Sequence, residues 1–134
     1  MIKEIFRSIA TRTGLVPGTT IYLGRRPQDA PDSCILVAFN GGGGAYFDLP
    51  DRQDIMVQIL ARAKDYNDAY ADSMTAFNAL HGVANVALPV LVSGEAWLAQ
   101  TIEAVAAPQY IGPDEKGRHE WSTNFIWRVK DASK

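Results

Sequence analysis

The sequence predicts an α+β fold: a mixed or antiparallel sheet of four to five strands, two helices packed on one face, and a long projecting C-terminal β-hairpin. Three observations carry this. Within residues 54–82 the apolar spacing changes from that of a strand to that of a helix. Ile55, Val57, Ile59 and Ala61 alternate against Met56, Gln58, Leu60 and Arg62, and after Lys64 the stripe Tyr66, Tyr70, Met74, Phe77 and Leu80 takes over. Near the N-terminus Ile2, Ile5, Phe6 and Ile9 recur at helical spacing. Towards the C-terminus two alternating segments, residues 97–106 and 121–129, flank a turn-rich stretch. A half-buried strand running directly into an amphipathic helix is the nucleus of a layer in which helix covers sheet.

In chain order, the first helix ends before Gly14, and Pro17-Gly18 marks a turn into a short β-branched strand at 19–23. Residues 24–32, GRRPQDAPD, are polar with two prolines and read as an exposed loop. Arg25 and Arg26 at its head are either solvated surface or a contact patch. The run 34–39 is continuously apolar, as in a strand covered on both faces. Cys34 there reads as a small buried hydrophobe rather than a nucleophile. The four glycines at 41–44 lead into a Pro50-containing connection and not into a helix. They therefore fit neither a P-loop nor a dinucleotide fingerprint and read as a flexible tip.

Asp65 is placed as the N-cap of the second helix and Gly82 as the residue that ends it. Residues 83–94 are apolar but irregular around Pro89, an edge strand or a docked extended segment whose exposed apolar groups would seek a partner. In the C-terminal hairpin Trp97, Ala99, Thr101, Glu103 and Val105 share one face of the first strand. Trp121, Thr123, Phe125, Trp127 and Val129 share one face of the second. The connecting stretch holds Gly112-Pro113 and the charged turn Asp114-Glu115-Lys116-Gly117.

At 134 residues the chain is expected to be a single domain over 1–134, with 47% apolar and 21% charged residues, ordinary for a folded soluble protein. The net charge of −2 gives no basic surplus for nucleic-acid binding. One cysteine excludes an intrachain disulfide and suits a reducing compartment. No hydrophobic leader opens the sequence, and no apolar run approaches the ~20 residues that span a bilayer. A soluble protein made in a cytoplasm, with no membrane contact, is expected.

No catalytic constellation emerges. His81 and His119 lack partners at metal-ligand spacing, and His119-Glu120 does not extend to HExxH. There is no GxSxG, and Cys34 has no evident base. The acid pairs Asp65/Asp68 and Asp114/Glu115 sit at a helix start and a hairpin tip, where capping and solvation account for them. The aromatic residues alternate as a core face does, instead of interleaving with Lys and Arg as a base-stacking platform would. The sequence points to a non-enzymatic interaction protein without cofactor or metal, whose unusual parts are a glycine tip, a two-arginine loop and a charged hairpin.

Three stretches carry a resemblance. Residues 55–80, IMVQILARAKDYNDAYADSMTAFNAL, resemble the strand–helix unit of phage tail terminator proteins, the tail-completion or minor capsid proteins of long-tailed, siphovirus- or myovirus-like bacteriophages. Arg62, Asp65, Tyr66, Ala69, Asn78 and Leu80 match its pattern. Residues 108–129 are similar to the family's last hairpin at Gly112, Asp114, Gly117, Arg118 and Asn124, with Pro113 in place of an arginine. Residues 25–43 are similar to its proline-containing loop, strand and glycine turn.

The resemblance implies a structural virion protein, assembled in the host cytoplasm and located at the tail or neck. It implies a ring, usually a hexamer, at the head-proximal end of the tail tube that ends tube polymerisation and provides the head–tail joining surface. Its partners would be further copies of itself, the tail tube protein and a head completion or connector protein, with DNA passing through the lumen without specific binding. The implied subunit and tail interface is Arg25, Arg26, Arg62, Asp65, Asp114, Glu115 and Arg118. The alternative is another head–tail connector or neck protein of similar fold, and an unrelated small enzyme is a third reading.

Overall fold

The computed structural model describes residues 1–40 and 51–133. The expected glycine tip at 41–44 lies outside the described residues. The elements are α1 (Ile2–Thr13), β1 (Ile21–Leu23), β2 (Cys34–Phe39), β3 (Arg52–Ala63), α2 (Tyr66–Leu80), β4 (Val83–Ala87), β5 (Trp97–Ala104), β6 (Gln109–Pro113) and β7 (His119–Asp131).

The fold is α+β, but the mixed sheet has seven strands where four or five were predicted. Its order is β1-β2-β3-β7-β5-β4, with β6 also on β7; β1 and β2 are parallel and the remaining pairs antiparallel. The spine is β3 against β7, in register from Arg52↔Lys130 to Ala63↔His119. Alternation in these two strands works as read: Val57, Ile59 and Ala61 of β3 are buried, as are Thr123, Phe125, Trp127 and Val129 of β7. Ile5 and Ile9 of α1 and Ala76 and Leu80 of α2 join the same core.

The C-terminal hairpin differs from its prediction. β5 pairs with the second half of β7, whereas residues 109–113, read as part of a turn-rich extension, form β6 along the first half. The hairpin turn at Asp114–Gly117 therefore closes β6 onto β7, and β6 lies within the sheet instead of projecting from it. Five residues holding Gly112 and Pro113 carry little strand propensity; pairing with β7 makes them a strand.

A bulge between Ala99 and Thr101 of β5 reverses the side-chain faces, so Ile102, and not Thr101, enters the core. The opposite position on β4 is Asn85, at φ +55°.

At α2 the caps are as read: the Asp65 carboxylate accepts the N–H groups of Asn67 and Asp68 at 3.0 and 3.1 Å. Gly82, at φ +84°, turns the chain straight into β4, and its N–H donates to the Ile102 carbonyl at 2.9 Å. The buried stripe is different. Ala69, Ser73, Ala76 and Leu80 face the core, while Tyr66 and Tyr70 remain 44% and 43% exposed. Small residues let the helix backbone approach the sheet closely, and this rotates the tyrosines onto the helix flank.

Candidate functional site

Two features stand out at the end of the sheet where β3 finishes and β7 begins. The first is a set of charged groups that fastens the loop between β1 and β2. Arg62, only 6% exposed, donates from Nε to the Asp32 carbonyl at 3.2 Å and from Nη2 to the Pro31 carbonyl at 2.8 Å. Arg26 pairs through Nη1 with Glu120 Oε1 at 2.7 Å and donates from Nη2 to the Leu60 carbonyl at 3.2 Å. The Asp32 carboxylate takes Lys64 Nζ at 3.2 Å and Arg118 Nη1 at 3.3 Å. Arg118 Nε also meets Asp114 Oδ2 at 2.7 Å, and Asp114 closes the hairpin turn by accepting the N–H groups of Lys116 and Arg118.

These contacts shift the ionisations. The hydrogen bond from Lys64, with Arg118 alongside, holds the Asp32 carboxyl below its ordinary value. For Asp114 burial works the other way, but the Arg118 and Lys116 hydrogen bonds outweigh it and the carboxyl again lies low. Both folded-state values lie below the unfolded ones. The stabilisation is therefore complete above the unfolded carboxylate value of 3.8 and is lost as pH falls through the folded-state values. The urea midpoint of the purified chain is expected to fall between pH 7 and pH 3, and Asp32→Asn to shrink that fall. An unchanged pH dependence in the variant would contradict the clasp.

The second feature is an aromatic surface where the start of α2 meets β6 and β7. The Tyr66 ring lies 5.0 Å from Tyr110, 5.4 Å from Trp121 and 5.6 Å from His119, centroid to centroid. Tyr70 lies 4.9 Å from Trp121, and Tyr110 5.4 Å from Trp121. Tilted and edge contacts of this kind favour the ring quadrupoles. The Tyr110 hydroxyl and His119 Nδ1 are 2.8 Å apart, which fixes the rim. Tyr110 is 39% and the adjacent Ile111 55% exposed, so the cluster presents its rings outward.

A third feature lies at the opposite end of β7. After β4, Val90, Leu91 and Val92 are 64%, 41% and 51% exposed. Leu88 anchors this segment by burial and by donating its N–H to the Trp97 carbonyl at 2.9 Å. The exposed apolar groups expected near Pro89 are thus present.

A cavity of about 190 Å³ lies among Thr13, Leu15, Thr20, Ser33, Cys34, Ile35, Asp72, Thr75 and Ala76. It is smaller than the 300–1,000 Å³ of ordinary small-molecule pockets. Burial, with Asp68 on the same helix, pushes the Asp72 carboxyl up.

Of the seven residues named from sequence, five are engaged within the subunit. Arg26, Arg62, Asp114 and Arg118 hold the clasp and the hairpin turn, and Asp65 caps α2. Arg62, buried against two carbonyls, fastens the loop within the subunit. Arg25 and Glu115 are exposed and make no hydrogen bond or ion pair among the described residues.

The clasp brings the loop, strand end and hairpin together, as their charges allowed. The aromatic surface went unread because an i, i+4 tyrosine pair looks like a core stripe. The parallel run of small residues, Ala69, Ser73 and Ala76, was the available signal that a different face is buried. The histidines have local partners: His81 Nδ1 accepts the Ala104 N–H at 2.9 Å, and its ring stacks on Phe77.

A family model described as bacteriophage tail terminator protein matches residues 8–130. Among solved structures, a chain from the virion of a native gene transfer agent particle has the same fold, with a TM-score of 0.61 at 13% sequence identity. The alignment covers 96% of this chain and 91% of that one. No curated protein matches the sequence.

Proposed function

The chain belongs to the bacteriophage tail terminator family, and on that premise we propose that it closes the head-proximal end of the tail tube as a ring of six copies. The ring is a virion component assembled in the host cytoplasm. One of its faces imitates a tube subunit and seats on the last tube ring. The other offers no tube-like site, so polymerisation stops and a head completion or connector protein docks there. The match of the family model over residues 8–130 carries this reading.

Physical features support it. Tube capping needs surfaces and no reaction chemistry, and the prominent features of the subunit are two apolar surfaces and a rigidified loop. A closed ring requires heterologous contacts, two different surfaces on each copy, and the aromatic cluster and the segment after Pro89 are different and widely separated. A net charge of −2 suits a lumen through which DNA passes without being held.

A phage that encodes this chain but cannot make it is expected to produce overlong tubes that fail to join heads. Tails of normal length joined to heads in normal numbers would rule the reading out. Normal tube length with failed joining would instead assign the chain to head completion, the neighbouring role in the neck.

A further inference from the structure

We propose that His81 is a proton-sensitive pin that joins the end of α2 to β5 and lets go when its imidazole takes up a proton. This is a property of the subunit's own fold and goes beyond its proposed place in the tail.

The pin extends a ladder where the backbone has turned into a helix. β4 and β5 pair from Val83↔Ile102 to Ala87↔Leu98, and the Gly82 N–H adds a bond to the Ile102 carbonyl. One residue earlier the chain still belongs to the helix end, for the His81 N–H donates to the Phe77 carbonyl at 2.9 Å. The Ala104 N–H, two residues beyond Ile102, is met instead by the imidazole, whose Nδ1 accepts it at 2.9 Å. The same ring stacks on Phe77, with centroids 5.0 Å apart and planes 19° from parallel. One side chain thus touches helix and sheet at the point where the chain passes from one to the other.

The chemistry of this bond makes it conditional. A backbone N–H can only donate, so Nδ1 must present a lone pair, and the ring must be the neutral form with its proton on Nε2. Protonation puts a hydrogen on Nδ1 and turns the acceptor into a donor facing a donor, which breaks the bond to Ala104. The released imidazolium has a place to turn to. It stands at the C-terminus of α2, where the helix dipole favours a cation and the last turn holds no basic residue. Histidine is the side chain whose charge changes between about pH 5 and 8, and His81 is exposed, so protons reach it directly.

The other histidine lacks this property. His119 Nδ1 lies 2.8 Å from the Tyr110 hydroxyl, a group that donates to a neutral ring and accepts from a protonated one. That contact survives in either state. The surroundings of His81 leave its behaviour to the geometry. On α2 the nearest acid is Asp72, more than two turns away. β4, VANVA, is uncharged, and on β5 the Glu103 carboxylate beside Ala104 is taken by Arg128 of β7. His81 itself makes no ion pair among the described residues. The clasp carboxylates Asp32 and Asp114 titrate below 3.8, outside the range in which the pin works.

The test is amide hydrogen exchange of the purified full-length chain, followed residue by residue by NMR between pH 8 and pH 5 and corrected for intrinsic exchange rates. Protection of the Ala104 amide is expected to fall about fivefold as the pH is lowered, the ratio that one hydrogen bond of ordinary net strength corresponds to. The Val105 amide, bonded to the Asn124 carbonyl at 2.8 Å, is the control and should keep its protection. His81→Asn carries an acceptor oxygen at the same distance along the side chain and does not titrate, so Ala104 should stay protected at both pH values. His81→Phe removes the acceptor, and Ala104 should exchange fast at both. Constant protection of Ala104 in the parent, an equal loss at Ala104 and Val105, or the same pH-dependent loss in His81→Asn or His81→Phe would each overturn the proposal.

Discussion

Replacing Trp127 with alanine is expected to destabilise the subunit by about 3–5 kcal/mol, the range for truncating a buried aromatic residue. Trp127 is fully buried at the centre of the sheet, where β7 places it between Ile55 of β3 and Ile102 of β5. A domain of this size holds only about 5–15 kcal/mol in total, so the variant would keep a small margin or none. Urea unfolding followed by far-ultraviolet circular dichroism measures the loss. Trp127→Phe is expected to lose less: it keeps one aromatic ring and removes an indole N–H that has no acceptor among the described residues. A phenylalanine variant as unstable as the alanine one would show that shape rather than burial controls this position.

Arg62→Ala is expected to cost about 2–3 kcal/mol, in the range for charge-assisted hydrogen bonds, and to act locally. The guanidinium is the fork that holds the Pro31 and Asp32 carbonyls, and without it the loop carrying Arg25 and Arg26 loses the most buried of its fastenings. Limited proteolysis should cut first within residues 25–33 in the variant, and the unfolding midpoint should fall. Arg62→Lys should recover only part of the loss, because a single ammonium cannot span both acceptors as a planar fork does. Arg25→Ala, at an exposed position without partners among the described residues, should stay within about 0.5 kcal/mol of the parent. Equal loss in Arg25→Ala and Arg62→Ala would contradict the role assigned to Arg62.

The legible part of the fold follows from local rules. Alternation in β3 and β7, the Asp65 cap and the Gly82 turn each depend on a few neighbouring residues, and each is found where the pattern places it. The family, too, was readable from the order and spacing of three short segments. The misread elements depend on partners distant in the chain. β6 is a strand because β7 lies beside it, and the β5 bulge sends Ile102 inward in place of Thr101.

The site divides in the same way. Sequence alone determined that this is an α+β chain with no recognisable active-site pattern and with charged and apolar segments that ask for partners. It also singled out Arg62 and the Asp114–Arg118 turn as residues of note. Only the tertiary structure decided what those residues hold: five of the seven interface candidates make contacts inside the subunit. Only the tertiary structure turned Tyr66 and Tyr70 outward, because small residues on the adjacent stripe bring α2 close to the sheet. The physical reason is common to these cases. Periodicity shows that a helix or strand has an apolar face, but which of two candidate faces is buried depends on the volume its neighbours leave, and that volume is set by the whole fold.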